Sequence, residues 1–291
     1  MAGPSPFKSD ILAGRVALIT GGGSGIGYEI TRQLGLHGAK VVISGRRQQV
    51  LDGAAETLRK DGIQVHTAQG DVRKYESCEG MVAAAVSHFG SLSILVNCAA
   101  GNFLALPEQL SSNGFRTVLE IDTLGTFNVC RAAFPALSKC ASSNVINISA
   151  TLQYGATWYQ AHASAAKSAV DSLTRSLALE WGSFGVRVNG VAPGPIAGTA
   201  GMAKLAPGAE ERMQDQMARA IPVGRMGERC EIAYACLYLA SSAGSFVSGH
   251  TLVVDGGEWM YRPPLAPREA VAQLSRGVES KSRAVGVQSK M

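Results

Sequence analysis

Short apolar runs recur along this chain, each followed by a segment of helical periodicity, and this alternation limits the fold more than any other feature. Val16–Thr20, 41–44, 64–68, 92–97, 144–149, 186–191 and Thr251–Val254 read as strands. Between them, 26–36, Gln48–Lys60, Tyr75–Phe89, 115–137, 163–180 and 228–239 read as helices. Strands that alternate with helices must be joined by right-handed crossovers, which makes the sheet parallel and covers both its faces. Strands buried on both faces have no polar side, so they appear as unbroken apolar runs. The expected class is therefore α/β: a single-domain, Rossmann-like, doubly wound parallel sheet with helices on both faces. Residues 1–11 precede it as an extension, 12–261 form the domain, and 262–291 form a mobile basic tail with at most one short helix.

Charge does not point to nucleic acid. The net charge is +5, but the stretch from Arg262 to Met291 holds six basic and two acidic residues, so the folded body is close to neutral. Basic and aromatic residues are not interleaved. The six cysteines form no C-x-x-C pair, and no histidine cluster accompanies them, so free thiols in a reducing compartment and no metal are expected. No apolar run approaches the roughly 20 residues needed to cross a bilayer.

The first strand ends in Thr20-Gly21-Gly22-Gly23-Ser24-Gly25-Ile26-Gly27, just before a helix. Glycines there let the backbone approach a pyrophosphate, and the helix N-terminus behind them offers free N–H groups and a favourable dipole. Gly21, Gly23, Ser24, Gly25, Ile26 and Gly27 are therefore expected to hold a dinucleotide. A fold that prefers NAD places an acid at the end of its second strand, to hold the ribose 2′-OH. Here that end reads Ser44-Gly45-Arg46-Arg47. Arg46, with Arg47 beside it, suits a 2′-phosphate and hence NADP(H); the alternative is a pair of solvated surface arginines. Asp71 and Val72, after the third strand, would sit beside the adenine.

Taken with Asn97-Cys98-Ala99-Ala100-Gly101, Lys167, Pro193-Gly194-Pro195-Ile196 and Thr199, this loop resembles the short-chain dehydrogenase/reductase family over about residues 12–261. The resemblance adds Asn97, Ala99, Lys167, Pro193, Gly194, Pro195, Ile196 and Thr199 to the cofactor set, and implies a homodimer or homotetramer. One departure stands out. The family's catalytic Tyr lies four residues before its Lys, a position held here by Ala163. Its catalytic Ser falls on Ala150, and its Asn falls on Asp122. Tyr159, about 12 Å from Lys167 if helical, and Ser149, on the other face of a strand, are poor substitutes.

The segments 97–103, 122–128 and 161–167 resemble one branch of the family that also lacks the Tyr, the peroxisomal 2,4-dienoyl-CoA reductases. That branch implies NADPH-dependent reduction of 2,4-dienoyl-CoA to 3-enoyl-CoA in the oxidation of unsaturated fatty acids. Lys167 and Asp122 would be the catalytic pair, organising the water that protonates a dienolate. Arg73, Phe103, Ser112, Asn113 and Lys204 are its implied substrate contacts. His162, beside the lost Tyr, is expected to pack or cap the helix rather than donate a proton. The chain ends Ser289-Lys290-Met291, which resembles the S-K-L peroxisomal address read by an import receptor. Two other readings stay open: a carbonyl or 3-oxoacyl reductase with a displaced acid, and a non-catalytic NADP-binding protein.

Overall fold

The computed structural model describes residues 5–199 and 218–288. Seven parallel strands lie in the order β3-β2-β1-β4-β5-β6-β7. They are β1 (Val16–Thr20), β2 (Lys40–Gly45), β3 (Val65–Gln69), β4 (Ile94–Asn97), β5 (Ser143–Ile148), β6 (Val186–Pro193) and β7 (Thr251–Val254). The helices are α1 (Gly25–Leu36), α2 (Gln48–Lys60), α3 (Tyr75–Phe89), α4 (Ser112–Leu119), α5 (Gly125–Leu137), α6 (Ala161–Trp181), α7 (Arg229–Ala240) and α8 (Arg268–Gln288). The doubly wound α/β sheet expected from the alternation is present. One core layer, with Ile19, Ile30, Leu34, Ile43, Val96 and Ile232, lies on one side of the sheet. A second, with Leu18, Val42, Met81, Leu95, Val129 and Val188, lies on the other.

The order in which successive strands are added reverses between β1 and β4, which pair in parallel with Thr20 beside Asn97 at their carboxyl ends. Such a switch point opens a crevice, because the crossovers on either side leave in opposite directions. Thr20 Oγ1 accepts from the backbone N–H groups of Cys98 and Ala99, each at 3.1 Å, and so ties the two strand ends together below that crevice.

Boundaries differ from the sequence reading in a few places. β4 begins at Ile94 rather than 92, and β6 runs on to Pro193. The single helix expected over 115–137 is α4 and α5 joined by a π-helical turn, Glu120–Leu124. The described residues also divide into two units, one through Trp259 and one from Met260 onward. In the second, α8 is 21 residues long rather than one short helix. Pro267 is the last proline of the chain, and its carbonyl accepts from Ala270 and Val271 at 3.0 and 3.2 Å. Nothing after it interrupts the backbone ladder. Near the other end, Ser5 Oγ lies 2.7 Å from His37 Nε2, and Phe7 packs edge-on against the His37 ring.

Candidate active site

A cleft of about 620 Å³ lies at the switch point, over the carboxyl ends of the strands. The glycine loop forms one wall. Gly21 sits at φ +67, and a Cβ there would lie 3.1 Å from the Ala99 nitrogen. A Cβ on Gly27 would lie 2.4 Å from the Gly21 carbonyl oxygen, an overlap that no side chain permits. The loop can therefore fold back on the helix only with glycine at these positions, which brings bare backbone to the cleft. Ser24 occupies the N-cap of α1 without capping it through its side chain, and the first turn holds no acid. The N–H groups and positive dipole end of α1 are thus left for an anion.

Arg46 and Arg47 stand exposed at the end of β2 and line the same cleft, with no carboxylate at that strand end. Asp71 and Val72 line it farther along. The Arg73 guanidinium grips Asp71, with Nη2 to Oδ2 at 2.5 Å and Nε to Oδ1 at 3.0 Å. These hydrogen bonds hold the Asp71 carboxyl below its ordinary range, and the nearby Arg46 charge adds to the effect.

At the centre is a buried ion pair. Asp122 lies in the π turn, where the wider helical spiral lets a side chain leave the regular helix face. Its Oδ1 accepts from the Gly101 N–H at 2.7 Å, and its Oδ2 lies 3.0 Å from Lys167 Nζ. Lys167 Nζ also donates to the Ile148 carbonyl at 2.9 Å. The two side chains are 1% and 10% exposed, so the pair is shielded from solvent except where it meets the cleft. Ala150 and Ala163 line the wall beside it. No hydroxyl projects from the two positions where the family carries Ser and Tyr. Tyr159 precedes α6, is half exposed, and is absent from the described cleft wall. Ser149, expected on the other face of a strand, instead follows the end of β5 and lines the cleft beside Ala150, where it accepts from Gln153 Nε2 at 3.4 Å. Burial pushes the Cys98 thiol up to about 11, against the pull of Lys167, so it is not a nucleophile at neutral pH.

All the expected cofactor residues except Asn97 line this cleft. Asn97 is buried behind it, donating to Asn147 Oδ1 at 2.8 Å and to the Cys130 sulfur. Through its Nδ2 it braces β4 against β5. The proposed substrate contacts do not converge. Arg73 is committed to Asp71, and Phe103 is 39% exposed beside the cleft. Ser112 and Asn113 are exposed at the start of α4, with Ser112 on a separate groove between α4, α5 and α6. Lys204 lies outside the described residues, as does Ser289-Lys290-Met291. His162 is packed, as expected: it is fully buried against Phe103 at 4.4 Å between ring centroids and caps nothing.

Sequence reasoning missed part of the wall. Thr151, Leu152, Thr157 and Gln160 come from the loop between β5 and α6, and Glu258 comes from beyond β7. None belongs to a motif. Burial and the Asp255 charge raise the Glu258 carboxyl above its usual range, opposed by a hydrogen bond with Thr151. Among the described residues there is no cluster of metal-binding side chains and no helix long and apolar enough to cross a membrane.

A family model described as Enoyl-(Acyl carrier protein) reductase matches residues 21–258. A peroxisomal 2,4-dienoyl-CoA reductase, (3E)-enoyl-CoA-producing, from Arabidopsis thaliana is 56% identical over 289 residues, covering 96% of each chain. A short chain dehydrogenase from Bacillus anthracis superposes with a TM-score of 0.79 at 35% identity, covering 86% of this chain and 98% of its own. An actinorhodin polyketide ketoreductase solved with NADPH superposes with a TM-score of 0.80 at 29% identity, covering 85% of this chain and 98% of its own.

Proposed function

The chain belongs to the short-chain dehydrogenase/reductase family, and from that premise we propose that it reduces 2,4-dienoyl-CoA thioesters to 3-enoyl-CoA with NADPH. One observation carries the reading: a buried Lys–Asp pair faces the cleft while alanines stand where the family's Ser and Tyr would be. The name of the Arabidopsis relative agrees with it. The cleft suits a phosphorylated dinucleotide. Its glycine loop has no room for a Cβ at Gly27, its helix end lacks a competing acid, and two arginines stand where a 2′-phosphate would lie.

The missing hydroxyls decide which substrate this site can handle. A ketone oxygen that receives charge must be protonated at once, and among the described residues no tyrosine hydroxyl lines this cleft to do so. A conjugated dienoyl thioester has a different need. When bound, the reduced nicotinamide supplies a hydride to carbon 5. The two double bonds then shift, and the electron pair settles on the thioester oxygen. That oxygen needs positive field rather than an immediate proton. Lys167 has three N–H groups, of which Ile148 and Asp122 take two. The third is left for the cleft that Lys167 lines. Asp122 holds the Lys167 side chain in place, and its carboxylate with Lys167 orients a water whose proton goes to carbon 2, the hydroxide left behind taking a proton from solvent at the open side of the cleft. That leaves one double bond between carbons 3 and 4. A carbonyl reductase using Tyr159 is disfavoured by the position of that side chain away from the cleft wall.

The reductase domain spans 12–261, flanked by the extension 1–11 and the tail 262–291. The tail presents Ser289-Lys290-Met291 to the peroxisomal import receptor, consistent with the relative's peroxisomal name. Assembly into a homodimer or homotetramer is supported by the apolar groove along α4–α6, where Phe115, Leu124 and Phe127 are exposed. The test is NADPH oxidation, followed by absorbance, with 2,4-hexadienoyl-CoA, a 3-ketoacyl-CoA and an NADH control. Turnover of the dienoyl substrate with NADPH alone is expected. Turnover of only the ketoacyl substrate overturns the reading, and NADPH binding without any turnover favours a non-catalytic binding protein.

A further inference from the structure

Two loops meet beside the cleft, and both expose apolar side chains. The first, after β4, carries Phe103, Leu104 and Leu106, about 40% exposed each. The second, before α6, carries Trp158 at 81% and Tyr159 at 44%. Three contacts stitch them together. The Ala105 N–H donates to the Tyr159 carbonyl at 3.0 Å, Asn102 Nδ2 donates to Gln160 Oε1 at 2.5 Å, and Phe103 rests on His162. Tyr159 is the one non-glycine residue at positive φ, +63, among the described residues. A tyrosine held in the left-handed region is strained and persists only where surrounding contacts impose it, commonly at ligand sites. Thr157 and Gln160, on either side of the two aromatic residues, line the cleft, and so does Asn102 of the first loop. The exposed apolar lip is therefore continuous with the chamber that holds Asp122 and Lys167.

We infer that Trp158 and Tyr159, with Leu104 and Leu106, form a lip that grips the acyl chain beyond the conjugated diene and so sets a preference for longer chains. The inference rests on the dienoyl-CoA reading. The Asp122–Lys167 pair fixes where the thioester end must lie. On this inference the first six carbons stay within the cleft and the added carbons of a ten-carbon chain lie on the lip, whose neighbours Asn102, Thr157 and Gln160 belong to the cleft wall. Each methylene moved from water onto such a surface is worth about fourfold in affinity.

The variants Trp158→Ala and Tyr159→Gly test this. Glycine takes the observed backbone angle without strain, so Tyr159→Gly removes the ring while keeping the loop. Steady-state kinetics with 2,4-hexadienoyl-CoA and 2,4-decadienoyl-CoA should show KM for the ten-carbon substrate raised about tenfold or more, with the six-carbon KM and both kcat values within about twofold of wild type. Equal effects on both chain lengths, or none, overturn the lip. An equilibrium readout separates this outcome from failure of the activity itself. Tryptophan emission of the wild-type protein should shift to the blue with saturated decanoyl-CoA but not with acetyl-CoA, and the shift should vanish in Trp158→Phe. No shift overturns the lip even if dienoyl turnover is found, while a shift without turnover supports the lip and removes the reductase reading. A change in oligomer mass in Trp158→Ala, with kinetics unaltered, would show that the lip binds a second copy of the chain and would overturn the inference.

Discussion

Removing one half of the Asp122–Lys167 pair should cost more than removing both. Asp122 is 2% exposed and holds Lys167 Nζ at 3.0 Å and the Gly101 N–H at 2.7 Å. In Asp122→Ala the Lys167 ammonium keeps only the Ile148 carbonyl, and the Gly101 donor loses its acceptor. A buried charge stripped of its partner costs about 3–5 kcal/mol. For a domain of this size each kcal/mol moves Tm by about 2–4 °C, so the expected fall is roughly 6–20 °C. Asp122→Ala with Lys167→Met deletes both charges and places an apolar chain of similar length in the gap. Replacing a buried pair by apolar groups is often close to neutral, so most of the lost Tm should return. Turnover should not: both variants should remain about a hundredfold or more below wild type, on the scale of a positioned acid–base group. Calorimetric melting gives the stabilities, and NADPH oxidation with 2,4-hexadienoyl-CoA gives the rates. A double variant no more stable than Asp122→Ala would refute the charge argument for stability. Near-normal turnover in the double variant would refute the catalytic role.

Arg46→Ala should weaken NADPH binding by about ten- to a hundredfold, the worth of a charge-assisted hydrogen bond, and leave NADH unaffected; equal losses for both cofactors in a titration would remove Arg46 from the 2′-phosphate site. Gly27→Ala places a Cβ 2.4 Å from the Gly21 oxygen. The loop must open, and the roughly 3 kcal/mol of stabilisation expected from saturating NADPH should disappear from its melting curve. His66, stacked on His88 at 4.2 Å, has its imidazole lowered from 6.5 by burial and by the His88 and Arg59 charges, and burial also lowers His162 despite the pull of Asp122. Both imidazoles take up protons less readily folded than unfolded. Their stabilisation is therefore complete above the ordinary imidazole value and is lost as pH falls from about 6.5 through the depressed folded values. Urea midpoints between about pH 7.5 and 5 should fall, and less steeply in His66→Gln; identical slopes would refute a contribution from His66.

Much of this protein is legible in one dimension because the responsible forces are local. Apolar runs of strand length become parallel strands because a strand covered on both faces has no use for polar residues. Gly21 and Gly27 are readable because a Cβ at either position collides with backbone a few residues away or across one strand pair. The absence of an acid after β2 and the alanines at 150 and 163 are readable as departures from a pattern with known chemistry. The direction in which side chains turn was settled only in three dimensions. Asp122 and Lys167 are 45 residues apart, and their meeting depends on a π turn that periodicity does not reveal. Asn97 turns back to Asn147, Arg73 folds onto Asp71, and Ser112 faces a different groove. Trp158 and Tyr159 lie in a loop without motif or period, and their place beside the cleft comes from hydrogen bonds to a segment more than fifty residues earlier. Sequence pattern carries what sterics and burial impose on near neighbours; the sheet order brings distant polar groups together, and each then takes whichever partner lies within reach.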